Sequence, residues 1–88
     1  MTTIHYHREF IKEFKKLPKE IQKKLAILEG LFELSCYHPE LHTKKLQGKL
    51  SSCYAFRVTR DYRVIFQFTA YSEVIFLAVK HRKDIYQK

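Results

Sequence analysis

From Ser52 to Gln87 the chain alternates between apolar and polar positions, and the remaining segments are arranged around that stretch. Tyr54, Phe56 and Val58 share one parity while Cys53, Ala55, Arg57 and Thr59 share the other, which is the period of a half-buried strand. One face of this strand is apolar, so Arg57 is expected to point away from the core. A polar turn follows at Thr59, Arg60 and Asp61. The next run repeats the pattern, with Val64, Phe66 and Phe68 set against Arg63, Ile65 and Gln67. Arg57 and Arg63 are therefore predicted on the same open face. A third run, Glu73 to Val79, is apolar at both parities, as expected of a strand covered on both sides, and it stops in Lys80, His81, Arg82 and Lys83.

Upstream the period changes twice. Thr2 to His7 alternates Ile4 and Tyr6 with Thr3, His5 and His7 and reads as a short first strand. From Arg8 onward Phe10, Phe14 and Leu17 fall on one helical stripe, with Arg8, Lys12, Lys15 and Lys16 largely off it. Pro18 ends this helix and opens a second, because a proline lacks the N–H that a first helical turn leaves unused and pushes the residue before it out of helical geometry. Ile21, Leu25, Leu28 and Phe32 make the second stripe, widened by Leu31, and Lys19, Lys23 and Lys24 make a basic face. Gly30 within this helix costs about 1 kcal/mol relative to alanine, so close packing against a neighbour is expected there. Pro39 sets the helix end near Cys36 to His38. The segment from Pro39 to Ser51 reads as polar and irregular, with Gly48 turning the chain into the sheet. The predicted architecture is α+β, in the order β-α-α-β-β-β, with a helix hairpin packed on a mainly antiparallel twisted sheet.

Composition narrows the function classes. With 88 residues there is length for one domain, residues 1–88, and one modest core. An apolar fraction of 45% and an aromatic fraction of 15% are those of a folded protein. The surface differs, carrying 17 Lys and Arg against 9 Asp and Glu, a net charge of +8. Polyanions are the natural partners of such a surface. No apolar run approaches the ~18 residues of a membrane-spanning helix, and Met1-Thr2-Thr3 lacks the apolar core of a signal peptide, so no membrane partner and a cytoplasmic location are expected. Cys36 and Cys53 are then expected to be reduced. Cys36 and His38 lie close in sequence, but no second pair supports a zinc site, and neither metal nor cofactor is expected.

The element order and the local motifs resemble the RelE/ParE family of toxins from type II toxin–antitoxin pairs. The corresponding features are FKKLP in the opening helix pair, the KLQG turn, the strands YAFRV and DYRVIF, and the ending VKHRKDIYQ. The resemblance implies that RelE-like members cleave messenger RNA in the ribosomal A site, whereas ParE-like members share the fold and poison DNA gyrase. Carried over residue by residue, the RelE-like pattern puts catalytic residues at Arg57, Arg63, Arg82 and Tyr86, all present here. A further basic residue that some RelE-type enzymes carry two positions before the first of these is Ala55 here. Lys49, Lys80, His81 and Lys83 are the candidates to compensate.

RNA carries its own nucleophile, the 2′-hydroxyl, so such a protein need only position it, stabilise the crowded phosphorus and help two protons move. Arginine suits the first tasks, because a guanidinium stays charged and clamps phosphate oxygens with parallel donors. Arg63 and Arg82 are expected to hold the scissile phosphate and Arg57 to add charge near the attacking oxygen. Tyr86 either transfers a proton or stacks on a base, and His81 is a second proton-transfer candidate because imidazole titrates near neutral pH. The bland alternative is an exposed sheet on which Arg57 and Arg63 pair with Asp61, Glu73 or Asp84. The spacing shared with Arg82 and Tyr86 favours the ribosome-dependent endonuclease, with a gyrase-binding inhibitor as the competing reading. The resemblance also implies a cognate antitoxin, covering the basic face or moving the tail from Asp84, and a ribosome with mRNA in its A site. Lys12, Lys16, Lys19 and Lys23 are the expected ribosome-docking residues, and Lys49, Lys80 and Lys83 the expected RNA contacts.

Overall fold

The computed structural model describes residues 1–86, Tyr86 by its backbone alone. The chain runs β1 (Thr3–Tyr6), α1 (Arg8–Lys15), α2 (Lys19–Leu34), β2 (Lys44–Lys45), β3 (Tyr54–Arg57), β4 (Tyr62–Ala70), β5 (Glu73–His81) and α3 (Arg82–Tyr86). The strands form one five-stranded sheet in the order β1-β5-β4-β3-β2. Only the β1–β5 pairing is parallel. This follows from connectivity, since consecutive strands of β3, β4 and β5 are joined by tight turns whereas β1 reaches the sheet through the helix hairpin.

The helix hairpin lies on one face of the sheet, as the two stripes predict. Phe10 of α1 and Leu25, Leu28 and Phe32 of α2 pack with Phe56, Val58, Val64, Phe66, Val74, Phe76 and Val79. Phe32 is at the centre, its ring 5.3 Å from that of Phe56, 4.9 Å from Phe66 and 5.1 Å from Phe76. The last two contacts are edge-to-face, the arrangement that the ring quadrupole favours. A smaller cluster occupies the opposite face, where Leu46, Cys53, Ala55 and Ile65 meet Leu77, Ala78 and Ile85.

These two clusters, together with a bulge, explain why β5 is apolar at both parities. Phe66 pairs with Phe76 but Ile65 pairs with Ala78, so Leu77 is an extra residue and the parity of β5 reverses there. Val74 and Phe76 before the bulge and Val79 after it all face the helices.

Several expectations need correction. The segment from Pro39 to Ser51 is not irregular throughout. It holds a 3-10 turn (Pro39–Leu41), strand β2 and a second 3-10 turn (Gly48–Leu50), and it buries Leu41 and Leu46. Gly48 does turn the chain, at φ 72. Helix α2 ends at Leu34, earlier than Pro39 requires, and β5 continues through Lys80 and His81 before the tail folds into α3. Among the described residues Gly30 packs against nothing: a Cβ there would meet no atom within 4 Å. Cys36 and Cys53 are both free thiols, and burial raises the pKa of Cys36. Among the described residues no helix is long and apolar enough to cross a membrane.

Candidate active site

Strand register brings three cations into one row on the face away from the helices. Arg57 of β3 lies directly opposite Arg63 of β4, and Arg63 lies opposite Lys80 of β5. With neighbouring strands ~4.8 Å apart, the row spans roughly 10 Å. Like charges placed across a ladder repel, so each needs something to hold it. Arg63 Nη1 donates to the carbonyls of Thr59, Arg60 and Tyr62 at 2.9, 3.0 and 3.3 Å. These carbonyls are available because the β3–β4 turn is tight: Val58 N–H donates to Tyr62 O at 2.9 Å and Asp61 N–H to Thr59 Oγ1 at 3.3 Å. Only Nη1 of Arg63 is engaged in these bonds, which leaves Nε and Nη2 as a fork fixed in direction by the turn.

Lys80 is held from outside the sheet. Its Nζ donates to Glu13 Oε2 at 2.6 Å, while Glu13 Oε1 accepts the backbone N–H of Val79 at 3.0 Å. Glu13 of α1 thus satisfies the edge of β5 beyond the end of β1 and restrains Lys80 with the same carboxylate. Arg57 is exposed and makes no ion pair among the described residues.

Arg82 joins this group through Asp61. Its backbone N–H donates to Asp61 O at 2.6 Å, and its Nε lies 3.7 Å from Asp61 Oδ1. The start of α3 is thereby fastened to the same turn that holds Arg63. Lys83 is exposed on α3. The side chain of Tyr86 lies outside the described residues.

His81 goes elsewhere. After the bulge at Leu77 it pairs with Tyr62, on the face of Val64 and Val79 rather than that of Arg63 and Lys80. Its ring packs edge-on against Tyr62 at 5.6 Å, and its Nδ1 accepts the backbone N–H of Lys83 at 3.2 Å, capping α3. Lys49 is also separate, in the Gly48–Leu50 turn that precedes β3 at the end opposite Arg57. Lys12, Lys16, Lys19 and Lys23 are exposed on and between α1 and α2.

Of two clefts, one reaches the cation row at Arg57. This one, of about 480 Å3, is lined by Glu20, Ile21, Lys24, Glu40, His42, Arg57, Val58 and Thr59. His42 lines this cleft together with Arg57, and it ends the Pro39–Leu41 turn in the left-handed region at φ 49. Histidine is among the side chains that tolerate this region, and here its backbone N–H closes the turn by donating to Pro39 O. Nothing in the local sequence marks His42, because its neighbourhood is created by the packing of the Pro39–Leu41 turn beside β3 and α2. The other cleft, of about 310 Å3, lies between β2 and α3 and is lined by Lys44, Lys45, Leu46, Gln47, Leu50 and Ile85. Among the described residues no three His, Cys, Asp or Glu side chains gather as a metal site.

With this geometry in place, sequence comparison decides the family. Residues 4–86 match the profile described as the ParE toxin of type II toxin–antitoxin system, parDE. The chain belongs to that family. No curated protein matches it by sequence. Among solved structures, YafQ from Escherichia coli strain BL21(DE3) superposes with a TM-score of 0.78 at 19% identity, covering 98% of this chain and 99% of that one. An archaeal RelE–RelB complex from Pyrococcus horikoshii OT3 contains a chain with a TM-score of 0.75 at 24% identity, covering 92% and 94%. A RelB–RelE antitoxin–toxin complex from Methanococcus jannaschii gives 0.73 at 26%, covering 93% and 94%. Structures bearing YafQ, RelE and ParE names share this architecture, so the RelE/ParE toxin fold by itself does not select one reaction.

Proposed function

We propose that this RelE/ParE toxin is a ribosome-dependent mRNA endonuclease that cleaves message in the A site by attack of the 2′-hydroxyl on the adjacent phosphate. The observation that carries the reading is the cation row Arg57–Arg63–Lys80, with Arg82 fastened beside it by Asp61. In this reading the free fork of Arg63 and the guanidinium of Arg82 hold the non-bridging oxygens of the scissile phosphate. Arg57, unpaired at the strand end, stabilises charge as the 2′-oxygen attacks. Oriented donors of this kind act where charge develops and need no reorganisation during the step. Bond formation from the 2′-oxygen and loss of the 5′-oxygen yield a cyclic phosphate and a free 5′-hydroxyl, so one proton must leave and one must arrive. Tyr86 is assigned a part in that transfer, and His81, capping α3 from the other face, is assigned to positioning Arg82 and Lys83.

Lys80 and Lys83 are proposed to contact RNA next to the row, with Lys49 further along the message. Lys12, Lys16, Lys19 and Lys23 are proposed to dock on ribosomal RNA, a contact that should weaken steeply with salt. A cognate antitoxin is the proposed protein partner. Support comes from similar chains solved in complexes named RelB–RelE and YoeB–YefM.

A ParE-like reading, inhibition of DNA gyrase without RNA cleavage, is favoured by the family description and by Ala55, where some RelE-type enzymes carry a basic residue. Primer extension on a reporter mRNA in cell-free translation separates the two. The expected result is cuts on translated message only, reduced about 10²- to 10³-fold by Arg82→Ala, the usual loss when one transition-state donor is removed. Intact message together with inhibited gyrase supercoiling would overturn the endonuclease reading.

A further inference from the structure

Helix α2 carries a second apolar stripe that the chain leaves uncovered. Its inner residues Leu25, Leu28 and Phe32 are in the core, with Ile21 packed against them. On the outward face Lys23, Ile27, Gly30 and Leu34 succeed one another at spacings of four, three and four, the seam spacing of paired helices. Ile27 is 67% exposed and Leu34 71%. Between them Gly30 is exposed with nothing within 4 Å of a Cβ position, so the seam contains a notch open to the outside. Glycine weakens a helix relative to alanine, and no contact among the described residues makes use of its small size.

The charges along α2 indicate what fits the seam. Its N-terminal half carries Lys19, Lys23 and Lys24 against the single acid Glu20, and its C-terminal half carries Glu29, which accepts from Tyr6, and Glu33, with no basic residue in the last turn. Glu20 apart, this order opposes the helix dipole, which favours acids at the start and bases at the end. An antiparallel helix with the same sequence reverses the order and places acid against base. A uniformly basic or acidic partner would match only half of the seam.

We propose that two copies of the chain dock antiparallel through the outer face of α2 about a two-fold axis. With the axis midway between Ile27 and Gly30, each Ile27 enters the notch at Gly30 of the other copy. Lys23 then meets Leu34, with its ammonium and that of Lys24 level with Glu33. The interface is self-complementary, as a two-fold contact must be. Helix α2 has 16 residues and is about 24 Å long, so the contact falls at the small end of specific interfaces and the dimer depends on concentration. This assembly does not depend on whether the chain cuts RNA.

Sedimentation equilibrium of the full chain, over a concentration series reaching about 1 mM, tests it. The expected species is twice the 10.7 kDa monomer at the upper concentrations. Ile27→Lys with Leu34→Lys should return the monomer without altering the thermal unfolding curve, since both side chains are exposed. Gly30→Gln should raise helix stability and weaken the dimer by at least about tenfold, opposite signs that a folding defect cannot produce. Glu33→Lys should weaken the dimer, and adding Lys23→Glu to the same chain should restore it. A monomer at every concentration, a dimer indifferent to the double lysine variant, or a seam that binds only a co-expressed neighbouring protein would overturn the proposal.

Discussion

The two ends of the sheet solve opposite problems with the same strands. At one end the β3–β4 turn, the end of β5 and the start of α3 bring together Arg57, Arg60, Arg63, Lys80, Arg82 and Lys83. Three of these cations are restrained: Arg63 by turn carbonyls, Lys80 by Glu13 and Arg82 by Asp61. At the other end the Tyr71–Ser72 hairpin tip meets the start of β1, where Thr3 N–H donates to Ser72 O at 2.8 Å and Thr2 N–H to Glu33 O at 2.9 Å. There Met1, Leu34, Tyr37, Phe68 and Tyr71 stand exposed, Tyr71 at 97%. Charges left facing one another require fixed partners within the chain, whereas exposed apolar groups lower their free energy only by meeting something outside it. The basic end therefore meets its needs within the chain, whereas the apolar end, though tied by backbone hydrogen bonds, leaves surface that only an outside partner can cover.

The largest expected effect removes the support common to both ends. Phe32→Ala takes out the ring between Phe56, Phe66 and Phe76 and should cost about 3–5 kcal/mol in chemical denaturation. A loss under about 1 kcal/mol would mean that the ends are held independently. The next variant acts at the basic end alone. Arg63→Lys keeps the charge but cannot grip the turn carbonyls and still present a fork, so under the proposed endonuclease function RNA cleavage should fall about 10²-fold with little change in stability. An unchanged rate would show that charge alone suffices there.

His81 separates positioning from proton transfer. His81→Ala should lose the cap on α3, a change of about 0.5–2 kcal/mol, and His81→Asn should recover it through a side-chain acceptor. Cleavage that stays lost in the asparagine variant would move His81 into the chemistry. The smallest effect lies at Tyr6. Burial first, and the hydrogen bond it donates to Glu29 second, raise its pKa above the ordinary 10.0. The folded state then holds a proton that the unfolded chain releases near pH 10, so this contribution is present below that pH and lost as pH rises beyond it. Tyr6→Phe should shallow the decline of thermal stability above pH 10, and an identical decline would assign it to other groups.

The fold was legible because periodicity reports burial directly. Phe10, Leu25, Leu28 and Phe32 lie where helical spacing puts them, and the alternation around Arg57 and Arg63 puts both on one face, where the register then sets them opposite each other. Strand β2 and helix α3 were not legible, since two paired residues and one helical turn are too short to show a period. The fate of Gly30 was also hidden: a small residue signals close approach without saying whether the neighbour belongs to the same chain.

The sequence alone therefore determined the element order, the helix-covered face, the basic surface and the cations Arg57 and Arg63 on its open side. Local pattern suffices for these because each depends on which side of its own element a residue occupies. Tertiary structure decided the rest. The bulge at Leu77 turned Lys80 toward the arginines and His81 away from them, and the Pro39–Leu41 turn brought His42 into one cleft with Arg57. The β3–β4 turn also bound both Arg63 and Arg82. These depend on register between segments distant in sequence, where a shift of one residue exchanges the faces of a strand, and no local period encodes that shift.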